Sequence, residues 1–229
     1  MGYSDNTNFT FLYTLLSDTA SLYGACVENF GMKEWHPSLK EAYEIMRGER
    51  TSQKSYDLFA VNDISHEENM ALAPYDLSEK TDIRVLNGSD IRVRGRLLGG
   101  CLDCLVPLIG TPYDKVAEFA QRYEKDGLLF YLEACDLNPV SVIRSLLQMK
   151  DAGWFDHANA ILFGREKIRE PFFEMTFEDA LHQVFDGSDI PVVYGLDFGH
   201  VPPSWTLING SVAGLEVKDH KAEIKEEFL

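Results

Sequence analysis

The amino-acid sequence predicts an α/β fold built on a largely parallel sheet. Between residues 128 and 196, three short apolar runs (128–133, 158–163 and 191–196) alternate with two longer segments of helical apolar spacing. That β-α-β-α-β order is how parallel strands are joined by crossover helices. Both intervening segments carry helix-start signals, Asn138-Pro139 and Thr176-x-x-Asp179, each of which sets a capping side chain just ahead of the apolar stripe. The composition agrees, since 45% hydrophobic and 25% charged residues over 229 positions suffice for a real core.

Taken in order, the chain opens on Met1-Gly2-Tyr3-Ser4-Asp5 and passes straight into a helix over 8–16, with Phe9, Leu12, Tyr13 and Leu16 at helical spacing. A short strand is expected over 21–26. Ser38 and Glu41 form an S-x-x-E capping box for a helix with Leu39, Ala42, Tyr43 and Met46 on one face. Residues 48–88 are polar and irregular, with strand-like pieces at 56–61 and 83–86, and read as a linker. Ile91, Val93, Gly95 and Leu97 then alternate with Arg92, Arg94 and Arg96, a half-exposed strand that ends in Gly99-Gly100 and leads to a helix over 101–108. Thr111-Pro112 is the expected N-cap and first turn of a helix carrying Val116, Phe119, Ala120 and Tyr123, closed by Gly127. After residue 196 a turn over 197–203 leads to strands at 206–208 and 214–217, and the charged end 218–229 reads as a solvated tail.

Charge narrows the function. Thirty-seven acidic against 21 basic residues give −16, opposite to the basic surface that nucleic acid requires, and anionic membranes are disfavoured for the same reason. No apolar run is long enough for a transmembrane helix, and the N-terminus shows no basic segment followed by an apolar one as in a signal peptide. Four cysteines do not make a disulfide framework, so reduced thiols and a cytoplasmic location are expected.

Three residues stand where chemistry is usually placed. Gly2-Tyr3-Ser4-Asp5 is a tight turn before a helix, which exposes a hydroxyl beside backbone N–H groups, although a serine there also serves simply as a cap. Glu133 ends an apolar strand, at the edge where α/β sheets put ligands and catalytic groups; a solvent-facing carboxylate or a salt bridge would read the same. His200 lies in the Gly199–Pro203 turn after a strand, where an imidazole can be aimed or can be merely structural. Together they supply a nucleophile, a base and an orienting acid.

The motifs GYSDNT before an apolar helix, RGRLLGGCLDCL, GTPYD, LLFYLEACD and IPVVYGLDFGHVPPSWTLINGS resemble, in order, the landmarks of the LD-carboxypeptidase family. That family includes murein-recycling enzymes and microcin C immunity peptidases, and the landmark spacing is similar to the immunity branch. The resemblance covers residues 2 to about 217. It implies Ser4 as nucleophile, His200 as general base, Glu133 as the group orienting it, and the Asp5 N–H as half of an oxyanion hole, with no metal or organic cofactor. The implied substrate is a small peptide: an amide between an L-centre and a C-terminal D-amino acid on a muropeptide, or, in the immunity branch, the acyl bond of a nucleotide-peptide toxin. Family members carry most of a flavodoxin-like subdomain before the elbow. The expected fold is therefore a C-terminal LD-carboxypeptidase α/β domain (89–229), a linker (48–88) and a remnant of the N-terminal domain (1–47) whose helices are loosely attached. Little activity is expected of the chain alone.

Gly99 and Gly100 are assigned to substrate binding, with close approach of another loop as the alternative. Cys101-x-x-Cys104 lacks a second pair at zinc spacing and reads as structural. Trp35, Trp154 and Trp205 read as packing residues, and Asp103 and Arg165 as polar neighbours of the landmarks. Two rival functions stand beside the peptidase: a non-catalytic domain that binds a partner or a second copy of the chain, and a general α/β-hydrolase, whose G-x-S-x-G elbow is missed because Asn6 replaces the second glycine.

Overall fold

The computed structural model describes residues 1–61 and 72–228, so positions 62–71 of the expected linker lie outside the described residues. Six α-helices are described: α1 (Thr7–Ser17), α2 (Pro37–Met46), α3 (Leu102–Leu105), α4 (Val116–Arg122), α5 (Pro139–Asp151) and α6 (Phe177–Phe185). The strands are β1 (Ser21–Tyr23), β2 (Ser52–Lys54), β3 (Leu58–Ala60), β4 (Leu77–Lys80), β5 (Arg84–Val85), β6 (Ile91–Cys101), β7 (Leu128–Glu133), β8 (Ala158–Gly164), β9 (Val192–Leu196), β10 (Leu207–Asn209), β11 (Val212–Lys218) and β12 (Lys221–Glu227).

Eight strands form one sheet in the order β2-β12-β11-β6-β7-β8-β9-β5. Its centre, β6-β7-β8-β9, is parallel, as the alternating pattern requires. The flanks are antiparallel, β11, β12 and β2 on one side and β5 on the other, so the sheet is mixed rather than largely parallel. Residues 52–54 and 84–85 of the expected linker supply its two edge strands.

The end of the chain is not a solvated tail. Asp219 and His220, both at positive φ, make the two-residue turn that suits a twisted hairpin. Beyond it Ala222, Ile224 and Glu226 are buried while Lys221, Lys225 and Glu227 face water. That alternation buries one face of β12.

Strand alternation also divides the core. Leu128, Phe130 and Leu132 of β7 join Phe11, Leu98, Ile161 and Trp154 under the helices. Leu129 and Tyr131 point the other way and pack with Tyr23, Leu97, Leu162, Phe198 and Trp205. By the same period of two, Glu133 belongs to this second face.

Residues 1–47 are not loosely attached. Helix α1 buries Thr7, Thr10, Phe11, Thr14 and Leu15 and leaves Phe9, Tyr13 and Leu16 exposed, the reverse of the face that apolar spacing suggested. Close approach explains it. A side chain at Gly100 would meet the Thr7 methyl at 2.6 Å, so a small residue is needed on the helix there. The buried hydroxyls are satisfied: Thr7 Oγ1 accepts from Cys101 N (3.0 Å), Thr10 donates to Asn6 O (3.1 Å) and Thr14 bonds Ser21 (2.9 Å). Strand β1 pairs with β10, and α2 contributes Leu39 to a small separate cluster with Ala25 and Met32.

Two helix starts differ from expectation. The imidazole of His36, not Ser38, caps α2, accepting from Ser38 N, with Pro37 in the first turn. Helix α4 begins at Val116 rather than at Thr111-Pro112; the Thr111 hydroxyl instead donates to Leu108 O, which closes a turn. The caps at Asn138 and Thr176 lie where the sequence put them.

Candidate active site

Glu133 is the last residue of β7, and its side chain is fully buried. Two donors hold its oxygens. His200 Nδ1 donates to Oε2 at 2.7 Å, and the Tyr23 hydroxyl donates to Oε1 at 2.5 Å. A carboxylate accepts only, so His200 carries its proton on Nδ1 and leaves Nε2 free for chemistry. The contact expected between these two residues is thus present.

The turn that carries His200 is shaped by glycines and pinned by a buried ion pair. A side chain at Gly199 (φ +99°) would lie 2.9 Å from the Glu133 side chain, so only glycine lets the turn pass this close over the carboxylate. Arg165, just after β8, pairs with the buried Asp197 and donates to Val201 O (3.1 Å) and Pro203 O (2.9 Å). Its guanidinium lies 4.8 Å from the centre of the Phe59 ring. Arg165 therefore fixes both flanks of the histidine. Asp103 does the same for the segment after Glu133, accepting from Cys135 N (3.0 Å) and Asp136 N (3.1 Å).

Ser4 opens a single 3-10 turn, Ser4–Asn6, that runs directly into α1. Its φ is +58°, a left-handed conformation that a non-glycine residue rarely adopts and that the surroundings must enforce. Asn6 enforces it: both its N–H and its side-chain amide donate to Tyr3 O, at 3.2 and 3.1 Å. Tyr3 in turn packs edge-on against the His200 ring at 4.9 Å. Ser4, Asp5 and His200 line one cleft of about 580 Å³, which is also lined by Glu166, Lys167 and Arg169 from the loop after β8. Burial lifts the Glu166 carboxyl to about 7.

Gly99 and Gly100 are placed elsewhere than the sequence reading put them. Both are buried; a side chain on Gly99 would overlap the Tyr131 carbonyl, and one on Gly100 would strike Thr7. Their bareness lets β7 and α1 approach β6, which is the alternative of approach by another part of the chain. The tryptophans do pack: the indoles of Trp35, Trp154 and Trp205 donate to Phe30 O, Asp114 and Lys54 O respectively.

Cys101 ends β6 beside Glu133, and its thiol, Glu133 and His200 offer three donor atoms within 4.8 Å of one another. Glu133 and His200 already satisfy each other, and burial together with the nearby Glu133 charge pushes the Cys101 thiol far up, so it stays protonated. The donor set therefore favours an acid–base pair over a metal centre. All four cysteines are free. Tyr23, Tyr3 and Cys101 were not read from the sequence as site residues; a tyrosine in a strand signals a buried hydroxyl seeking a partner, but not which partner.

The chain is thus an α/β domain with a buried carboxylate–imidazole pair beside a cleft that also holds a strained serine. Residues 94–215, over half the chain, match the LD-carboxypeptidase C-terminal domain. The protein belongs to that family. Over the whole chain it is 25% identical to the microcin C7 self-immunity protein MccF of Escherichia coli, covering 66% of that protein. It is 24% identical to a probable murein peptide carboxypeptidase of Bacillus subtilis over 98% of the chain and 61% of the relative. A solved MccF-like protein from Streptococcus pneumoniae in complex with AMP superposes with a TM-score of 0.74 at 25% identity, over 99% of this chain and 68% of that one. The chain spans about two-thirds of the length of these relatives. No helix among the described residues is long and apolar enough to cross a membrane.

Proposed function

We propose that the protein is a serine hydrolase of the LD-carboxypeptidase kind, with Ser4 as nucleophile, His200 as general base and Glu133 as the residue that orients it. The observation that carries the reading is the 2.7 Å contact of His200 Nδ1 with the buried Glu133, made beside a cleft that also contains Ser4 at φ +58°. In this mechanism Ser4 Oγ attacks the scissile carbonyl while its proton passes to His200 Nε2. The oxyanion develops at the start of the Ser4–Asn6 turn, where the Asp5 N–H is the donor. Collapse of the tetrahedral intermediate returns the proton to the leaving amine, and water then releases the acyl group by the reverse route. Glu133 holds the tautomer and stabilises the imidazolium.

The substrate we propose is the one the family resemblance implies: an amide joining an L-centre to a C-terminal D-amino acid, or the acyl bond of an aminoacyl nucleotide. The nucleotide reading is favoured by the MccF-like structure that holds AMP. The test incubates the purified protein with an L,D-linked tetrapeptide and with an aspartyl-adenylate analogue, reading released D-alanine and aspartate against a Ser4→Ala control. Release above the control supports the hydrolase. Release equal to the control, with Ser4 also inert to a fluorophosphonate, would leave a binding or dimerisation domain as the better account of a chain spanning two-thirds of its relatives.

A further inference from the structure

We infer that Tyr23 is a positioning residue for the relay, acting through Glu133; this rests on the hydrolase reading above. A carboxylate held by one donor can rotate about its last bond and present either oxygen to the histidine. Glu133 is held by two, His200 on Oε2 and the Tyr23 hydroxyl on Oε1, and both Glu133 and Tyr23 are buried. The two donors together fix the plane of the carboxylate, and the plane fixes the imidazole that must meet Ser4.

The tyrosine is itself rigidly mounted. Strand β1 pairs with β10 so that Tyr23 lies opposite Leu207, soon after the turn that carries His200. Its ring leans on Tyr131 at 5.3 Å. One short strand thereby ties the orienting carboxylate to the chain that holds the base. Burial first, then the Glu133 charge, raises the Tyr23 hydroxyl well above its ordinary range, so it remains a donor across physiological pH. Facing this cluster are Cys101 on β6 and Tyr131 on β7, with Asp103 against the Cys101 thiol and the buried Glu226 of β12 acting on Tyr131. Cys101 and Tyr131 are also raised by burial and stay neutral.

A packing role and a positioning role make different predictions for Tyr23→Phe, which keeps the ring and removes only the hydroxyl. Without that donor the Glu133 charge is shared with one partner instead of two, and His200 in its protonated form is favoured. Losing one charge-assisted hydrogen bond corresponds to about a tenfold change in the protonation equilibrium, which is about one pH unit. The midpoint of the His200 titration, followed by NMR of 15N-histidine-labelled protein and assigned with His200→Gln, should move up by about one unit in Tyr23→Phe. Fluorophosphonate labelling of Ser4 should slow by about tenfold on the acidic limb of its pH profile. Should Tyr23→Phe fail to fold, 3-fluorotyrosine placed at position 23, a stronger donor, should move the midpoint down. An unchanged midpoint in a folded variant would overturn the inference. The NMR readout needs no turnover, so a moved midpoint with an inert Ser4 would sink the hydrolase reading while leaving the hold of Tyr23 on the pair intact.

Discussion

Helix α1 carries Ser4 at its entrance, so its docking onto the sheet can be tested independently of any activity. Phe11 is fully buried, stacked on Trp154 at 5.7 Å, whereas Phe9, two residues earlier on the same helix, is 66% exposed. Truncating a buried phenylalanine to alanine costs about 3–5 kcal/mol in lost transfer energy and cavity, while exposed positions usually change stability by less than about 0.5 kcal/mol. For a chain of this size each kcal/mol moves the melting temperature by about 2–4 °C. Phe11→Ala should therefore melt roughly 6–20 °C below the parent, and Phe9→Ala within about 2 °C of it. Urea titration should show the same order, through the midpoint rather than the slope. Matching stabilities for the two variants would mean that α1 does not pack as described, and the geometry built around Ser4 would fall with it.

Two further outcomes follow from the sheet. Gly99→Ala places a methyl group on the Tyr131 carbonyl between β6 and β7; it should abolish soluble folded protein, read by circular dichroism, whereas Gly214→Ala, which meets nothing within 4 Å, should be tolerated. Burial raises the Glu226 carboxyl to about 8 from an ordinary 4.5, so the folded state prefers its protonated form. Its contribution is complete below about pH 4.5 and is lost as pH rises toward 8. Glu226→Gln, neutral throughout, should gain on the parent between pH 5 and pH 9, and a pH-independent difference in urea midpoint would contradict this.

The geometry of the candidate site was partly legible in the sequence because strand ends and glycine turns are local features. The run ending at Glu133 and the turn holding His200 each announce a position at one edge of a parallel sheet, and the two do meet there. What failed to show was set by contacts distant in sequence. Thr7, Thr10 and Thr14 form the buried face of α1 because Gly100 of β6 meets Thr7 and Gly210 meets Thr14 at close range, which apolar spacing within α1 cannot reveal. The alternation of Ala222 and Ile224 with charged neighbours was present, but a strand whose other face is wholly charged looks like a tail until its partners β11 and β2 are known. Tyr23 found Glu133 across 110 residues. Gly99-Gly100 reads equally as a substrate approach or a chain approach, and the neighbours the two glycines meet, Tyr131 and Thr7, are distant in sequence.

The central claim is that Ser4 is a nucleophile activated by the His200–Glu133 pair. A fluorophosphonate probe followed by peptide mass spectrometry tests it most directly. The account predicts a single adduct on Ser4, formed with a rate that rises with pH as His200 loses its proton, and slowed by several orders of magnitude in His200→Gln and Glu133→Gln proteins that remain folded. Adduct formation at another residue, or labelling of Ser4 at the same rate in the His200→Gln protein, would contradict it.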